Sequence, residues 1–224
     1  MPVNKEAYQQ LITDLGSHHA ILVAVSKTKS VEEIKELYDL GQKDFGENYV
    51  QELTEKQSQL PGDIRWHFIG HLQSNKVKQI APFIHLIQSV DSLKLLKEIN
   101  KQAQKSNRVI DCLLQVHIAR EETKFGLDEG ELDALVNTNA SELHELKNVN
   151  IMGLMGMASF TDDMEKVRSE FHYLKKLFDK HAKLQTSNFK LQTLSMGMSS
   201  DYFVAIEEGS NMVRIGSLIF GARN

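Results

Sequence analysis

A lysine that directly follows a short apolar run is the first candidate for chemistry in this sequence. The run Ile21–Val25 leads into Ser26, Lys27, Thr28 and Lys29. It is too short for a buried helix and rich in β-branched residues, which predicts a strand covered on both faces. A lysine at the carboxyl end of such a strand lies where α/β proteins build ligand sites, and partial desolvation there favours the neutral amine that attacks an aldehyde. The stretch alone fits a solvated surface lysine better, so other parts of the chain must decide.

Two segments that pair glycine with serine, near the end of the chain, are the second candidate. Residues 197–201 place a glycine and two hydroxyls ahead of a predicted short helix, and Gly216-Ser217 repeats this arrangement after the last predicted strand. Backbone N–H groups and hydroxyls from the last two loops of a barrel often converge on a phosphate, and glycine lets the backbone approach it closely. Each segment by itself also fits an ordinary tight turn.

Eight apolar segments that alternate with helical patterns predict the framework that positions these residues. The segments, some with their exits, are residues 21–25, 44–50, 65–70, 86–90, 111–118, 150–157, 191–198 and 212–220. Such alternation implies parallel strands joined by crossover helices, and eight such units close into a (β/α)8 barrel of the α/β class. We expect one domain over residues 1–224. An open doubly wound sheet stays an alternative, because the sequence does not show closure.

The predicted helices begin with an amphipathic one over residues 5–19, ahead of the first strand. Ser30 opens a capping box for a helix that runs to about Leu40 and ends at Gly41. Asp91 is predicted to cap the helix after the fourth strand. Further helices are predicted near residues 75–80, 129–137 and 202–208, with a long one around 171–178.

The composition indicates a soluble globular protein and excludes several classes of function. Of 224 residues, 41% are hydrophobic and 25% are charged, and a net charge of −4 without a basic stripe argues against nucleic-acid binding. No apolar run is long enough for a membrane span and no signal peptide is evident, so we expect a cytoplasmic protein. The single cysteine, Cys112, lies in an apolar run and is predicted to be an inert buried thiol. His67 and His71 lack partners at metal-ligand spacing, so no metal site is predicted.

Five motifs together resemble one known family along nearly the whole chain. They are SKTK at 26–29, FGENYVQE at 45–52, HFIG-x-LQSNK at 67–76, LSMGMSSD at 194–201 and MVRIGSLIFGAR at 212–223. Their wording, order and spacing resemble the pyridoxal phosphate homeostasis protein family. The resemblance implies a single (β/α)8 barrel like the amino-terminal domain of bacterial alanine racemase, with pyridoxal 5'-phosphate (PLP) as the cofactor.

By this resemblance, Lys27 is the lysine that forms a Schiff base with PLP, and Asn48 lies beside the cofactor ring. The spacing alone does not choose between Lys27 and Lys29, since residues two apart on a strand point to the same side. The resemblance chooses Lys27.

The same resemblance assigns the other end of the cofactor. Ser199, Gly216 and Ser217 would hold the phosphate, and Ser217 keeps the hydroxyl of the threonine that many relatives carry. Arg214 would face the pyridine nitrogen; because arginine stays charged and only donates, it disfavours the protonated ring that makes PLP a strong electron sink. His71 stands where the wording HFIGPLQ has proline, which we interpret as a loop variation.

Two functions fit these residues. The first is a non-enzymatic protein that sequesters PLP or delivers it to PLP-dependent apo-enzymes, as a monomer or a weak dimer. The second is an amino-acid racemase, which needs a further β domain that supplies a second base; we expect none here, because the chain ends soon after the last strand. A barrel aldolase with a Schiff-base lysine is a weaker third alternative, since its lysine usually lies on a later strand.

Overall fold

Eight parallel strands close into a barrel in which each strand pairs with the next and the last pairs with the first. The computed structural model describes residues 3–119, 125–138, 140–184 and 186–221. The strands are β1 Ile21–Val25, β2 Asp44–Glu47, β3 Arg65–Phe68, β4 Leu86–Val90, β5 Ile110–Val116, β6 Val149–Gly156, β7 Phe189–Ser195 and β8 Met212–Ile215. At the closing seam, Met212 of β8 lies opposite Ile21 of β1, and Ile215 lies opposite Ala24. The predicted (β/α)8 barrel is confirmed, and the open sheet is excluded.

Helices cover the outside of the barrel, and one precedes β1 as predicted. They are α1 Lys5–Ser17, α2 Val31–Asp39, α3 Val50–Gln57, α4 Val77–Ile80, α5 Leu93–Lys105, α6 Glu129–Asp133, α7 Ala140–Glu145, α8 Met164–His181, α9 Tyr202–Glu207 and α10 Ser217–Phe220. A 3-10 turn at Ser74–Lys76 leads into α4, and a π-helical segment at Ala134–Thr138 continues α6. None of the helices in the described part of the chain combines the length and the apolar character that crossing a bilayer requires.

The helix caps test two local predictions, of which one is confirmed and one is wrong. Ser30 forms the predicted capping box at the start of α2 with Glu33. Asp91 does not cap α5: the Ser92 hydroxyl accepts the N–H of Leu95, at 3.2 Å. Two adjacent residues of the capping type stand here, and the register of the helix decides between them.

The apolar core forms one layer between the strands and the helices and a smaller cluster inside the barrel. The inner cluster is made of Val23, Leu86, Leu113, Met155 and Met212. Cys112 faces the outer layer, fully buried, and burial raises the pKa of its thiol, as expected for an inert residue. The barrel interior is not wholly apolar, because several buried polar side chains share it with the inner cluster.

Candidate functional site

A cavity of about 350 Å³ opens at the carboxyl ends of the strands. The six residues that the resemblance assigned to the cofactor all line it: Lys27, Asn48, Ser199, Arg214, Gly216 and Ser217. They come from the exits of β1, β2 and β7 and from β8 and its exit, so closure of the barrel is what brings them together. The volume of this cavity lies within the range of small-molecule binding sites.

The turn after β1 carries both candidate lysines. Because β1 ends at Val25, Lys27 and Lys29 lie beyond the strand, and Thr28 between them has a positive φ of 65°. The expectation that their side chains point the same way, as on a strand, therefore rested on the wrong local structure. Both lysines line the cavity. The Lys29 ammonium donates to the carbonyl of Phe220, at 2.9 Å, and would have to leave that acceptor to react.

A buried ion cluster holds the backbone of this turn. The Lys56 ammonium, on α3, donates to the Ser26 carbonyl at 2.7 Å, to Glu47 Oε1 at 2.8 Å and to Glu52 Oε1 at 2.6 Å. The Ser26 hydroxyl donates to Glu47 at 2.6 Å, and the Thr28 N–H donates to Glu52 at 2.5 Å. The residues on both sides of Lys27 are thus fixed to the cluster, which we call the turn clamp.

The electrostatics of the turn clamp depend on its burial. The side chain of Glu47 is fully buried and that of Lys56 is 7% exposed. Burial raises the pKa of Glu47, although the charge and hydrogen bond of Lys56 oppose it. All three N–H groups of Lys56 are used, which is the full donor capacity of an ammonium. Loss of Lys56 would therefore break every contact that joins Ser26, Glu47 and Glu52 through its ammonium.

Arg214 lies at the base of the cavity, on β8 beside Val23 of β1. Its guanidinium donates from Nη1 to the Ser195 hydroxyl at 2.5 Å and from Nη2 to the Gly156 carbonyl at 2.9 Å. Burial lowers the pKa of Arg214 to about 10, and the charge of Asp201 partly offsets that effect. The group is still a cation at neutral pH, held as a fixed donor.

The two glycine-serine segments meet at the rim of the cavity, where Ser199 and Ser217 both line it. Gly197 has a positive φ of 98°, which favours glycine. Gly216 has an ordinary φ, but a Cβ there would lie 3.1 Å from the Val25 carbonyl oxygen. A side chain at 216 would therefore crowd the end of β1, which favours glycine there for a reason that the sequence alone did not indicate.

Asn48 and His71 differ in how they relate to the cavity. Asn48 lines it, and its buried Oδ1 has no hydrogen-bond partner among the described residues. A buried polar atom of this kind is expected to meet a ligand or water. His71 points elsewhere: its Nδ1 lies 3.3 Å from the Asp91 carboxylate, and its ring stacks on Phe125 at 4.1 Å. These two contacts fix the loop in which histidine replaces proline.

Comparison with known proteins assigns the chain to a family. Residues 4–224 match the family model described as alanine racemase, N-terminal domain. The chain is 44% identical to the pyridoxal phosphate homeostasis protein of Aquifex aeolicus (strain VF5), over 93% of this chain and 89% of that protein. It is 40% identical to the human protein of the same name, over 94% and 79% of the two chains. The chain belongs to the pyridoxal phosphate homeostasis protein family.

A solved structure agrees with this assignment. PipY of Synechococcus elongatus PCC7942, determined with PLP bound, superposes with a TM-score of 0.86 at 34% identity. The match covers 96% of this chain and 99% of PipY. The resemblance in five short motifs therefore extends to the whole barrel of the family.

A group of metal-ligating residues lies at the opposite end of the barrel from the cavity. Asp44, His67 and His85 place one donor atom each within 4.8 Å of one another. The Asp44 carboxylate already accepts from Arg65 and lies 3.0 Å from His67 Nε2, while His67 Nδ1 accepts from Gln88. A metal ion would have to displace the guanidinium of Arg65 from the Asp44 carboxylate. We therefore still predict that this protein has no metal site.

Sequence reasoning missed the turn clamp, although the family motif contains part of it. Glu47 and Glu52 belong to FGENYVQE, and Lys56 follows Glu52 at the i,i+4 spacing of a helical ion pair. That spacing was the available signal. Nothing in it shows that the pair is buried or that it reaches the turn after β1.

Proposed function

We propose that this chain binds PLP in the cavity and serves intracellular PLP homeostasis by sequestering the cofactor or delivering it to PLP-dependent apo-enzymes. The observation that carries the proposal is the meeting, in one cavity, of an amine, a fixed cation and two hydroxyl-bearing loops. These groups match the aldehyde, the ring nitrogen and the phosphate of PLP. The PLP-bound structure of PipY supports the same ligand.

Lys27 is the residue that would hold the aldehyde end. PLP, when bound, supplies an aldehyde that condenses with a primary amine with loss of one water. The turn clamp presents Lys27, because Lys56 and Glu52 fix the backbone at Ser26 and Thr28 on either side of it. A fixed backbone lowers the entropy that ordering the lysine costs on binding.

The remaining residues would hold the phosphate and the ring. The hydroxyls of Ser199 and Ser217, which line the cavity, would donate to phosphate oxygens together with the backbone N–H of Gly216. Arg214 would donate to the ring nitrogen from the base of the cavity. The unpartnered Oδ1 of Asn48 is an observation in favour of a ligand at the ring position.

We also propose that robust amino-acid catalysis is absent. Arg214, as a permanent donor, disfavours protonation of the ring nitrogen and so weakens the electron sink. Racemisation needs an acid or base on each side of the substrate. The described residues that line the cavity include Lys27, Lys29 and Arg214 but no carboxylate, histidine or tyrosine. A binding protein fits this lining better than a racemase does.

Reduction with borohydride tests the proposal. The purified protein, incubated with PLP and reduced, should carry the adduct on Lys27 in peptide mapping by mass spectrometry. Lys29→Met is the matched control, because it removes the neighbouring amine and should leave the adduct in place. An adduct that is lost in Lys29→Met and kept in Lys27→Met would overturn the assignment of Lys27.

A further inference from the structure

We propose that Ser195, Gln88 and His67 are positioning residues that hold Arg214 in one orientation from inside the barrel. They link it to Asp44 at the amino-terminal ends of the strands, and we call this series of hydrogen bonds the barrel relay. The inference rests on the proposed function, because it concerns how the chain presents Arg214 to the ring of PLP.

The barrel relay crosses the interior of the barrel, from β7 and β8 on one wall to β4, β3 and β2 on the other. Arg214 Nη1 donates to the Ser195 hydroxyl at 2.5 Å, and that hydroxyl donates to Gln88 Oε1 at 2.7 Å. Gln88 Nε2 lies 2.9 Å from His67 Nδ1, and His67 Nε2 lies 3.0 Å from Asp44 Oδ1. Since β7 and β4 are not neighbours, the bond between Ser195 and Gln88 spans the barrel.

The donors and acceptors of the relay all run in the same direction. Arg214 can only donate, so the Ser195 hydroxyl accepts a hydrogen bond from it and donates one to the Gln88 oxygen. The amide nitrogen of Gln88 then faces His67 Nδ1, which accepts, and this leaves the ring proton on Nε2, directed at Asp44. Each member therefore fixes the orientation of the next.

Both ends of the relay are anchored. Asp44 is held by the guanidinium of Arg65, whose Nε lies 2.7 Å from Asp44 Oδ1. At the other end, Arg214 is also held by the Gly156 carbonyl, at 2.9 Å.

The relay also stabilises the charge of Arg214. Both acceptors of its hydrogen bonds, the Ser195 hydroxyl and the Gly156 carbonyl, are uncharged. Every dipole of the relay turns its negative end toward Arg214. In the low dielectric of the interior, such aligned bonds polarise one another and stabilise the buried cation.

The residues of the relay occupy positions that a barrel normally fills with apolar side chains. Ser195, Gln88 and His67 are at most 1% exposed, beside the apolar inner cluster. Burying polar groups costs free energy unless each finds a partner. In the relay these groups are paired with one another, and the series ends on Arg214, which lines the cavity. We infer that the buried polar residues are there because they fix the orientation of Arg214.

The test compares the affinities of PLP and of its 1-deaza analogue, in which a C–H group replaces the ring nitrogen. The analogue keeps the aldehyde and the phosphate and loses only the acceptor for Arg214. Wild-type protein should prefer PLP by about 10- to 100-fold, as expected for one hydrogen bond to a charged donor. Ser195→Ala and Gln88→Met should each reduce that preference by at least about threefold, because the donor is no longer held in place.

Ser210→Ala is the matched control for Ser195→Ala. Ser210 is a buried serine whose hydroxyl lies within hydrogen-bond distance of main-chain carbonyls of the same region, the shortest being that of Met196 at 2.8 Å. The control should keep the wild-type preference even if it lowers the melting temperature as much as Ser195→Ala does.

The outcomes separate the inference from the proposed function. A wild-type protein that binds neither compound would overturn both. A wild-type preference that Ser195→Ala and Gln88→Met leave unchanged would overturn the barrel relay as a positioning device while PLP binding stands. A preference that falls equally in Ser210→Ala would also overturn it, since the effect would then follow from any buried hydroxyl that is removed.

Discussion

Replacement of Lys56 by methionine should destabilise the fold strongly, because it removes the only cation of the turn clamp named above. Methionine keeps the unbranched stem and the volume, so the packing around α3 is retained. What is lost is the ammonium that donates to Ser26, Glu47 and Glu52. The fully buried carboxylate of Glu47 is then left without its counter-ion.

The expected magnitude follows from that burial. Removal of one partner from a buried ion pair costs about 3–5 kcal/mol, since the other charge stays desolvated. The loss is a large share of the total stability of a domain, about 5–15 kcal/mol. Glu47→Gln combined with Lys56→Met removes both charges of the buried pair and leaves Glu52, whose side chain is 23% exposed. The double variant should recover most of the loss, to within about 1–2 kcal/mol of the wild type.

The pH dependence has a definite sign. Burial raises the pKa of Glu47, and loss of Lys56 removes the two largest contributions that oppose this and leaves only the hydrogen bond from Ser26. A carboxyl group whose folded-state pKa is raised contributes stability below its unfolded pKa and loses that contribution as the pH rises through the folded value. The deficit of Lys56→Met should therefore be smaller at pH 5 than at pH 7.5.

Urea unfolding measures these values through the fluorescence of Trp66, the single tryptophan, which is 2% exposed on β3. Lys180→Met is the matched control: Lys180 also contacts two carboxylates, Glu129 and Asp133, but its side chain is 45% exposed. Solvent screens such pairs, so this variant should unfold close to the wild-type midpoint. Equal losses in Lys56→Met and Lys180→Met, or a double variant as unstable as Lys56→Met, would refute the reasoning.

Three further predictions address the cavity and the barrel relay. Ser199→Ala and Ser217→Ala should each weaken PLP binding about 10- to 100-fold and leave unphosphorylated pyridoxal unaffected in a dialysis assay, whereas equal losses for both compounds would exclude a phosphate contact. Arg65→Met should lower the free energy of unfolding by about 1 kcal/mol at pH 7: burial raises the pKa of Asp44, Arg65 and His67 together hold it below its usual range, and the variant loses the part that Arg65 contributes. The deficit should shrink as the pH falls, because the Asp44 carboxylate of the variant takes up a proton before that of the wild type does, and a pH-independent deficit in urea unfolding would contradict this. PLP-loaded protein given L-alanine in deuterated water should exchange the α-proton no faster than free PLP does, and rapid exchange abolished in Lys27→Ala would favour a racemase.

The strands were predictable because their signals are local. Each predicted apolar segment overlaps an observed strand, and the capping box at Ser30 was correct. The predicted segments often ran past the strand ends, as at Ile69 and Met196, since apolar residues continue into the loops that line the site or the core. Pairing of β8 with β1 joins opposite ends of the chain, and no local pattern encodes it.

Helix α3 shows why a local signal can fail. Its sequence, VQELTEKQ, buries Val50, Leu53 and the charged Lys56, so the apolar stripe is too short to stand out. The helical pattern is recognised from the spacing of apolar residues, so a buried lysine such as Lys56 is assigned to the solvent-exposed face. The helix that carries the turn clamp was for that reason not predicted, and the short helices α7 and α10 were missed as well.

The candidate site was predictable only in part, for a related reason. The resemblance supplied the residues that would touch the cofactor, and closure of the barrel brings them into one cavity. The residues that would hold them, such as Gln88 and Glu47, are polar side chains whose burial depends on strands far apart in sequence. A single sequence does not show which polar residues are buried.

Two buried cations, Lys56 and Arg214, are stabilised in different ways, and the difference bears on the ligand. Lys56 is bound by two carboxylates, so its charge is neutralised within the turn clamp. Arg214 donates to a hydroxyl and a carbonyl, the charge of Asp201 partly offsets the effect of its burial, and the side chains of Ser195, Gln88 and His67 separate it from the carboxylate of Asp44. A positive charge that is hydrogen-bonded by neutral oxygens and lines a cavity still attracts an anion there. The cavity is thus electrostatically suited to a ligand that is negatively charged and accepts a hydrogen bond at its base, which are the properties that PLP combines.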